Sequence, residues 1–339
     1  MQTFATIKKE VISTRKALRV FDLIRNEMTL VEDEFKRQAA SNIQAVDYLG
    51  EYLRSSGGKR MRPALLVLAN YACGGNAASE NVIRMATVME MLHTATLVHD
   101  DIIDNAAKRR GRESVNARFG NHTAVLMGDW LYMSAFETAL KERSLEILDV
   151  LTKLTRKMTE GELIQLTVIG NTEITEDAYF DILRRKTAYL FSGCCEIGAI
   201  LANADAEMQA AFRDFGMNLG VAFQLADDLL DFTADESALG KPSGADLLEG
   251  KLTLPLIVLC RRRPELKQFL KEIIADGSYR NGSRGEVMRR LNENGILEEI
   301  RSVALGFADT ARKNLEVLPQ TEYSLALEEI PNLVIDRSS

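Results

Sequence analysis

What the chain lacks narrows its chemistry first. Its 339 residues hold only three histidines, His93, His99 and His122, and these form no HExxH-like group, so a histidine-based transition-metal centre is poorly supported. The four cysteines, Cys73, Cys194, Cys195 and Cys260, show no metal-ligand spacing, and they read as small buried apolar side chains of a reduced, cytoplasmic protein. Nowhere do about 18 apolar residues run together, so no transmembrane segment is expected. The opening MQTFATIKKEVISTRKALRVF carries no apolar stretch of signal-peptide length. A formal net charge of −7 leaves no large basic field for a nucleic-acid backbone, so such a partner is not expected. Proline occurs six times, and no segment alternates apolar and polar residues strictly enough to read as a strand.

What is present favours helices. Apolar residues make up 46% of the chain, and long stretches rich in Leu, Ala, Met and Glu run without proline. Residues 5–54 carry an apolar stripe at helical spacing, broken by SSGGKRMRP at 55–63, where Pro63 suits a first helical turn. Helical periodicity covers 64–72, then resumes after CGGN at Ser79, a candidate N-cap, and runs to about 105. Further helices are expected over 115–140, 144–170, 175–202, 205–233 and, after a Gly/Pro/Ser/Asp loop at 235–250, in shorter pieces to 334. With no linker and no repeat, a single all-α domain spanning 1–339 is the economical reading.

Two short acidic patterns stand out. In LVHDDIIDNAAKRRG, Asp100, Asp101 and Asp104 fall at i, i+1 and i+4, which places Asp100 and Asp104 about 40° apart around a helix. The arrangement recurs at LADDLLDFT with Asp227, Asp228 and Asp231. One such triplet is as readily a solvated helix end, but two copies embedded in apolar helices point to a shared task. Paired carboxylates with water and substrate phosphates suit Mg²⁺, which prefers octahedral oxygen ligands. Four basic segments flank these clusters: GGKRMRP with Lys59, Arg60 and Arg62; KRRGR from Lys108 to Arg112; RRKT with Lys186 and Thr187; and GKPSGADLLEGK with Lys241 and Lys251. Arginine forks and lysine ammoniums match diphosphate oxygens.

On DDIIDNAAKRRG, DDLLD within QLADDLLD, and GGKRMRP, the chain resembles the trans-polyprenyl diphosphate synthases, with similarity from about residue 40 to 334. The resemblance implies a helical bundle around a central cavity, a homodimer, and two or three Mg²⁺ ions. It implies isopentenyl diphosphate and an allylic diphosphate as substrates. Asp100, Asp104 and Asp227 would bind the metal, with Asp101, Asp228 and Asp231 in support. Lys59, Arg62, His93 and Arg110 would hold isopentenyl diphosphate, and Arg109, Lys186, Thr187, Gln224, Lys241 and Lys251 the allylic diphosphate. Lys108 departs from the usual uncharged residue, a local charge effect.

Product length is expected to depend on a tunnel leading away from the aspartates. Val88, Met91 and Ala95 share one stripe of the helix before the first motif. In the family, a bulky aromatic five residues before that motif shortens the product; here Ala95 stands there, followed by Thr96. The first motif also lacks the two-residue insertion of many bacterial short-chain members. Both features resemble long-chain synthases, with products of about C35–C50 for quinone tails. A short-chain farnesyl or geranylgeranyl synthase is the alternative within the class. A non-catalytic regulatory subunit should have lost aspartates, and a terpene cyclase should lack the second DDxxD.

Overall fold

The computed structural model describes residues 19–55, 57–233, 244–280 and 283–336. The loop residue Lys241 and the first part of the expected 5–54 stripe lie outside these residues.

The architecture is all-α. In chain order the helices are α1 (Arg25–Ala39), α2 (Gln44–Arg54), α3 (Met61–Ala72), α4 (Glu80–Ile103), α5 (Val115–Phe119), α6 (Asn121–Ala139), α7 (Leu145–Thr167) and α8 (Glu176–Leu183). After a π turn at Arg184–Ala188 come α9 (Tyr189–Leu201), α10 (Ala206–Thr233), α11 (Ala245–Leu248), α12 (Leu254–Arg262), α13 (Leu266–Asp276), α14 (Ser283–Glu293), α15 (Ile296–Asn314) and α16 (Glu322–Ile335). Among the described residues no helix is long and apolar enough to cross a membrane.

Local chemistry sets many of the boundaries. Ser114, Ser144 and Thr175 accept backbone N–H groups at the starts of α5, α7 and α8, and Thr321 and Ser324 form a reciprocal capping box on α16. Ser79 does precede α4, but its hydroxyl makes no capping bond; it donates to Asn76 O at 2.5 Å. The helix expected over 115–140 is split at Gly120, whose φ of +84° breaks the periodicity. A two-residue ribbon, β1 (Lys108–Arg109) with β2 (Arg112–Glu113), departs from the strand-free expectation. Its turn residues Arg110 and Gly111 both take positive φ, the geometry of a tight hairpin.

Helix α10 organises the interior. Its first half packs Phe212, Phe215 and Leu219 into a core with α3, α4 and α9, including Leu65, Leu66, Met89 and Phe191. Its second half joins a second core with α12 and α15 through Val221, Leu225 and Phe232. Each fully buried Leu or Phe contributes roughly 1.5–3 kcal/mol. Two glycines let α10 approach its neighbours: a Cβ on Gly216 would lie 2.6 Å from Phe191 O, and one on Gly220 only 2.5 Å from Ala188 Cα. That contact seats the middle of α10 beside the π turn carrying Lys186 and Thr187.

Candidate active site

Both acidic clusters sit at the C-terminal ends of long helices, α4 and α10. The helix dipole is negative there, so each carboxylate placed in the last turn costs about 0.3–1 kcal/mol at an exposed site. Stability alone would put basic residues at these positions. The clusters meet at one open cavity of about 340 Å³, whose wall includes Asp100, Asp104, Asp227 and Asp228.

The members of each triplet differ in environment. Burial pushes the Asp100 carboxyl up to about 6, against the attraction of Lys186 and with help from Glu162 and Asp104. Asp101 is buried behind the motif, where its Oδ1 accepts from Arg109 Nε at 2.7 Å; it does not reach the main cavity. Asp227 is exposed on the cavity wall, whereas Asp228 and Asp231 are buried. Asp228 accepts from Tyr179 Oη at 2.5 Å and Gln224 Nε2 at 2.9 Å, and burial, with Asp246 and Asp227 adding repulsion, pushes it up to about 8. Asp231 lies off the cavity wall, where its backbone carbonyl accepts from Gly244 N at 2.7 Å.

Basic groups face the acids from other elements. Lys251 Nζ lies 2.8 Å from both Asp104 Oδ1 and Glu249 Oε2. Although desolvation works against its charge, these hydrogen bonds hold the ammonium well above its ordinary range. Lys186 Nζ sits 2.5 Å from Glu162 Oε2 and 2.7 Å from Gln165 Oε1. Thr187 donates to Gln224 Oε1 at 2.9 Å, and both line the cavity.

At the other end of the cavity Arg62 stacks over the Phe191 ring at 4.9 Å, and its Nη1 lies 3.0 Å from His93 Nε2. Burial first, then Arg62, Arg110, Arg109 and Arg60, push His93 well below the ordinary imidazole range, so it is neutral and Nε2 accepts. The buried Arg62 Nε–H has no hydrogen-bond partner among the described residues, an orphaned donor that an anion would satisfy. Arg109 borders both this cavity and a smaller one behind it, where Arg110 donates to Gly57 O. Lys59 is exposed on the loop before α3 and lies outside the cavity wall.

Several contributors carried no sequence signal. Tyr179, Glu162, Gln165 and the buried Glu90, which pairs with Arg60 at 2.6 Å, belong to no spacing pattern and are recruited by packing alone. The expected chain-length residues divide. Val88, Met91 and Ala95 are fully buried and line neither the main cavity nor the groove beside it. Thr96 borders both. That groove, about 700 Å³, runs between α4, α6 and α7 past His99, Ile103, Tyr132, Met133 and Met158, and shares Asp100 and Lys186 with the main cavity.

The donor set suits a cation that arrives with its own phosphate ligands. Among the described residues no three His, Cys, Asp or Glu side chains converge closely enough to hold an ion alone. Mg²⁺ typically takes one or two carboxylates plus water and phosphate oxygens; Asp100, Asp104 and Asp227 would supply carboxylates, and the surrounding cationic side chains would bind the phosphates that complete its shell.

The Polyprenyl synthetase family model matches residues 43–291. The chain is 38% identical to the octaprenyl diphosphate synthase of Escherichia coli K12, over 94% of this chain and 98% of that one. It is 37% identical to the all-trans-nonaprenyl-diphosphate synthase (geranyl-diphosphate specific) of Rhodobacter capsulatus, over 90% and 93%. It superposes with a TM-score of 0.90, at 33% identity and over 95% and 98% of the two chains, on a Caulobacter crescentus CB15 polyprenyl synthase solved with calcium and isoprenyl diphosphate. On this match of sequence, fold and paired aspartate motifs, the chain belongs to the polyprenyl synthetase family.

Proposed function

We propose that this protein is a Mg²⁺-dependent head-to-tail prenyltransferase that adds isopentenyl diphosphate units to an allylic diphosphate. Its product would be a long all-trans polyprenyl diphosphate of about C35–C50, a precursor of quinone side chains. One observation carries the reading: carboxylates from two helix ends face a single cavity with Lys186 and Lys251 among them. Relatives named as octaprenyl and nonaprenyl synthases favour a long product over farnesyl or geranylgeranyl diphosphate.

In this reading Asp100, Asp104 and Asp227 hold the metal, which neutralises charge on the departing pyrophosphate when bound. Lys186, Lys251, Thr187 and Gln224 grip the allylic diphosphate, so the C–O bond ionises with its charge already matched. Arg62 and neutral His93 hold isopentenyl diphosphate, with Arg110 adding positive charge from the smaller cavity behind, so that its double bond attacks the allylic cation; the proton then lost passes to pyrophosphate. Arg109, bound to Asp101, braces the first motif and reaches the same cavity. The lengthening chain leaves along the Thr96 groove.

Exposed apolar side chains on α6 and α7, among them Leu126, Met133 and Leu163, support a homodimer through that face. A single all-α domain and a cytoplasmic location complete the proposal. The test is incubation with isopentenyl and farnesyl diphosphates plus Mg²⁺, with and without chelator, followed by sizing of the dephosphorylated products. Products stopping at C15 or C20, or turnover indifferent to chelator, would overturn it.

A further inference from the structure

The wall of the main cavity includes one aromatic hydroxyl buried against an acid. Tyr179, on α8, donates to Asp228 Oδ2 at 2.5 Å, while Gln224 Nε2 donates to Asp228 Oδ1 at 2.9 Å. Gln224 in turn accepts from Thr187, one residue beyond Lys186 in the π turn. Three elements are thereby joined in one chain of hydrogen bonds: α8, the end of α10, and the turn that supplies the basic grip. Both oxygens of Asp228 are engaged by neutral donors, so this carboxylate is held in one rotamer. Its neighbour Asp227, one residue earlier on the same turn of helix, faces the open cavity.

From this geometry we infer that Tyr179 is a positioning residue for the second aspartate cluster. Its hydroxyl and the Gln224 amide together fix Asp228 and set the spacing between Asp227 and the Lys186–Thr187 turn. The inference rests on the reading of the cavity as a metal-diphosphate site and assigns to it a residue outside both motifs. The alternative is that Tyr179 serves packing alone, its ring meeting Phe180 edge-on at 5.4 Å. Tyr179→Phe separates the two, because it keeps the ring and removes only the hydroxyl.

The probe is inorganic pyrophosphate with Mg²⁺, titrated calorimetrically into the full chain. Loss of one hydrogen bond predicts roughly two- to tenfold weaker binding by Tyr179→Phe. The KM for the allylic diphosphate should rise, while that for isopentenyl diphosphate, held at the Arg62 end, should stay within about twofold. Should the wild type bind pyrophosphate and Tyr179→Phe match it, or should both KM values rise together, the inference fails by itself. Should the wild type bind none, the cavity reading fails and takes this inference with it. If Tyr179→Phe does not fold, 3-fluorotyrosine placed at 179 keeps hydroxyl and ring. Its ¹⁹F resonance should then shift when Mg²⁺ and pyrophosphate are added together, and a resonance that does not move overturns the assignment.

Discussion

Replacing Lys251 by methionine keeps the side-chain volume and removes the ammonium that spans Asp104 and Glu249. Both contacts are 2.8 Å, and the lysine side chain is 19% exposed against 29% and 40% for its partners. A hydrogen bond to a charged group is worth about 1.5–3 kcal/mol when well buried. Partial exposure of both acids discounts that figure, so about 2 kcal/mol for the pair of contacts is the expected loss in metal-free protein. The loss comes chiefly from leaving Asp104 beside Glu249 without a counter-charge, and the structure therefore specifies a non-additive pattern. Asp104→Asn removes the acid, so the double variant Lys251→Met with Asp104→Asn should recover at least 1 kcal/mol relative to the sum of the two single losses. Urea unfolding in EDTA measures this directly. Strictly additive losses, or a Lys251→Met variant as stable as wild type, would show that the lysine does not neutralise the first motif.

Thr96→Phe, at the junction of the main cavity and the groove, should shorten the product by several isoprene units; an unchanged length would remove the groove from the product path. Ala95→Phe overpacks a fully buried position that lines neither cavity, which costs about 1–3 kcal/mol, so it should lower the melting temperature and leave product length unchanged; a shortened product would put Ala95 on the product path. In EDTA, an unfolded chain releases the Asp100 proton near pH 3.8 and the folded protein near 6, so stability should fall as pH rises through that window. At about 1.4 kcal/mol per tenfold step the loss approaches 3 kcal/mol, and Asp100→Asn should flatten that slope in urea unfolding across the window; a slope left intact by the substitution would refute the burial argument. Gly220→Ala should push α10 off Ala188, costing stability and raising the allylic KM; a variant with unchanged KM would detach that contact from the grip of the site.

How far the site could be read from the chain depended on the range of the interactions. The aspartate triplets were legible because a helix places i and i+4 side by side without help from the rest of the fold. The helix spans over 144–170 and 205–233 followed from uninterrupted periodicity, and α7 and α10 lie within them. Gly120 was absorbed into a longer helix because a lone glycine costs little, and only its positive φ reveals a break. The π turn at Arg184–Ala188 adds a wide turn inside an apolar pattern that reads as continuous, yet it aims Lys186 and Thr187 at the cavity. Tyr179 and Glu162 are distant in sequence from the acids and bases they serve, and no local rule could pair them. The stripe of Val88, Met91 and Ala95 shows the converse limit: its shared helix face was legible, but that face packs into the core while Thr96, one residue on, meets open space.

The energetics of the two helix ends explain why the bases are where they are. Five carboxylates line one cavity wall, and the four at the ends of α4 and α10, two of them partly or fully desolvated, oppose both the helix dipoles and each other, with Asp246 adding repulsion at Asp228. Lys251 pairs with the first cluster, Arg109 secures Asp101 from behind, and Tyr179 with Gln224 holds Asp228 without adding charge. The neutral donors matter because a cation at Asp228 would compete with the metal that, on the proposed reading, Asp227 holds. The metal-free protein thus holds part of its acidic wall with neutral donors rather than cations, which on the proposed reading leaves attraction available for a ligand that brings divalent ions and phosphate oxygens together.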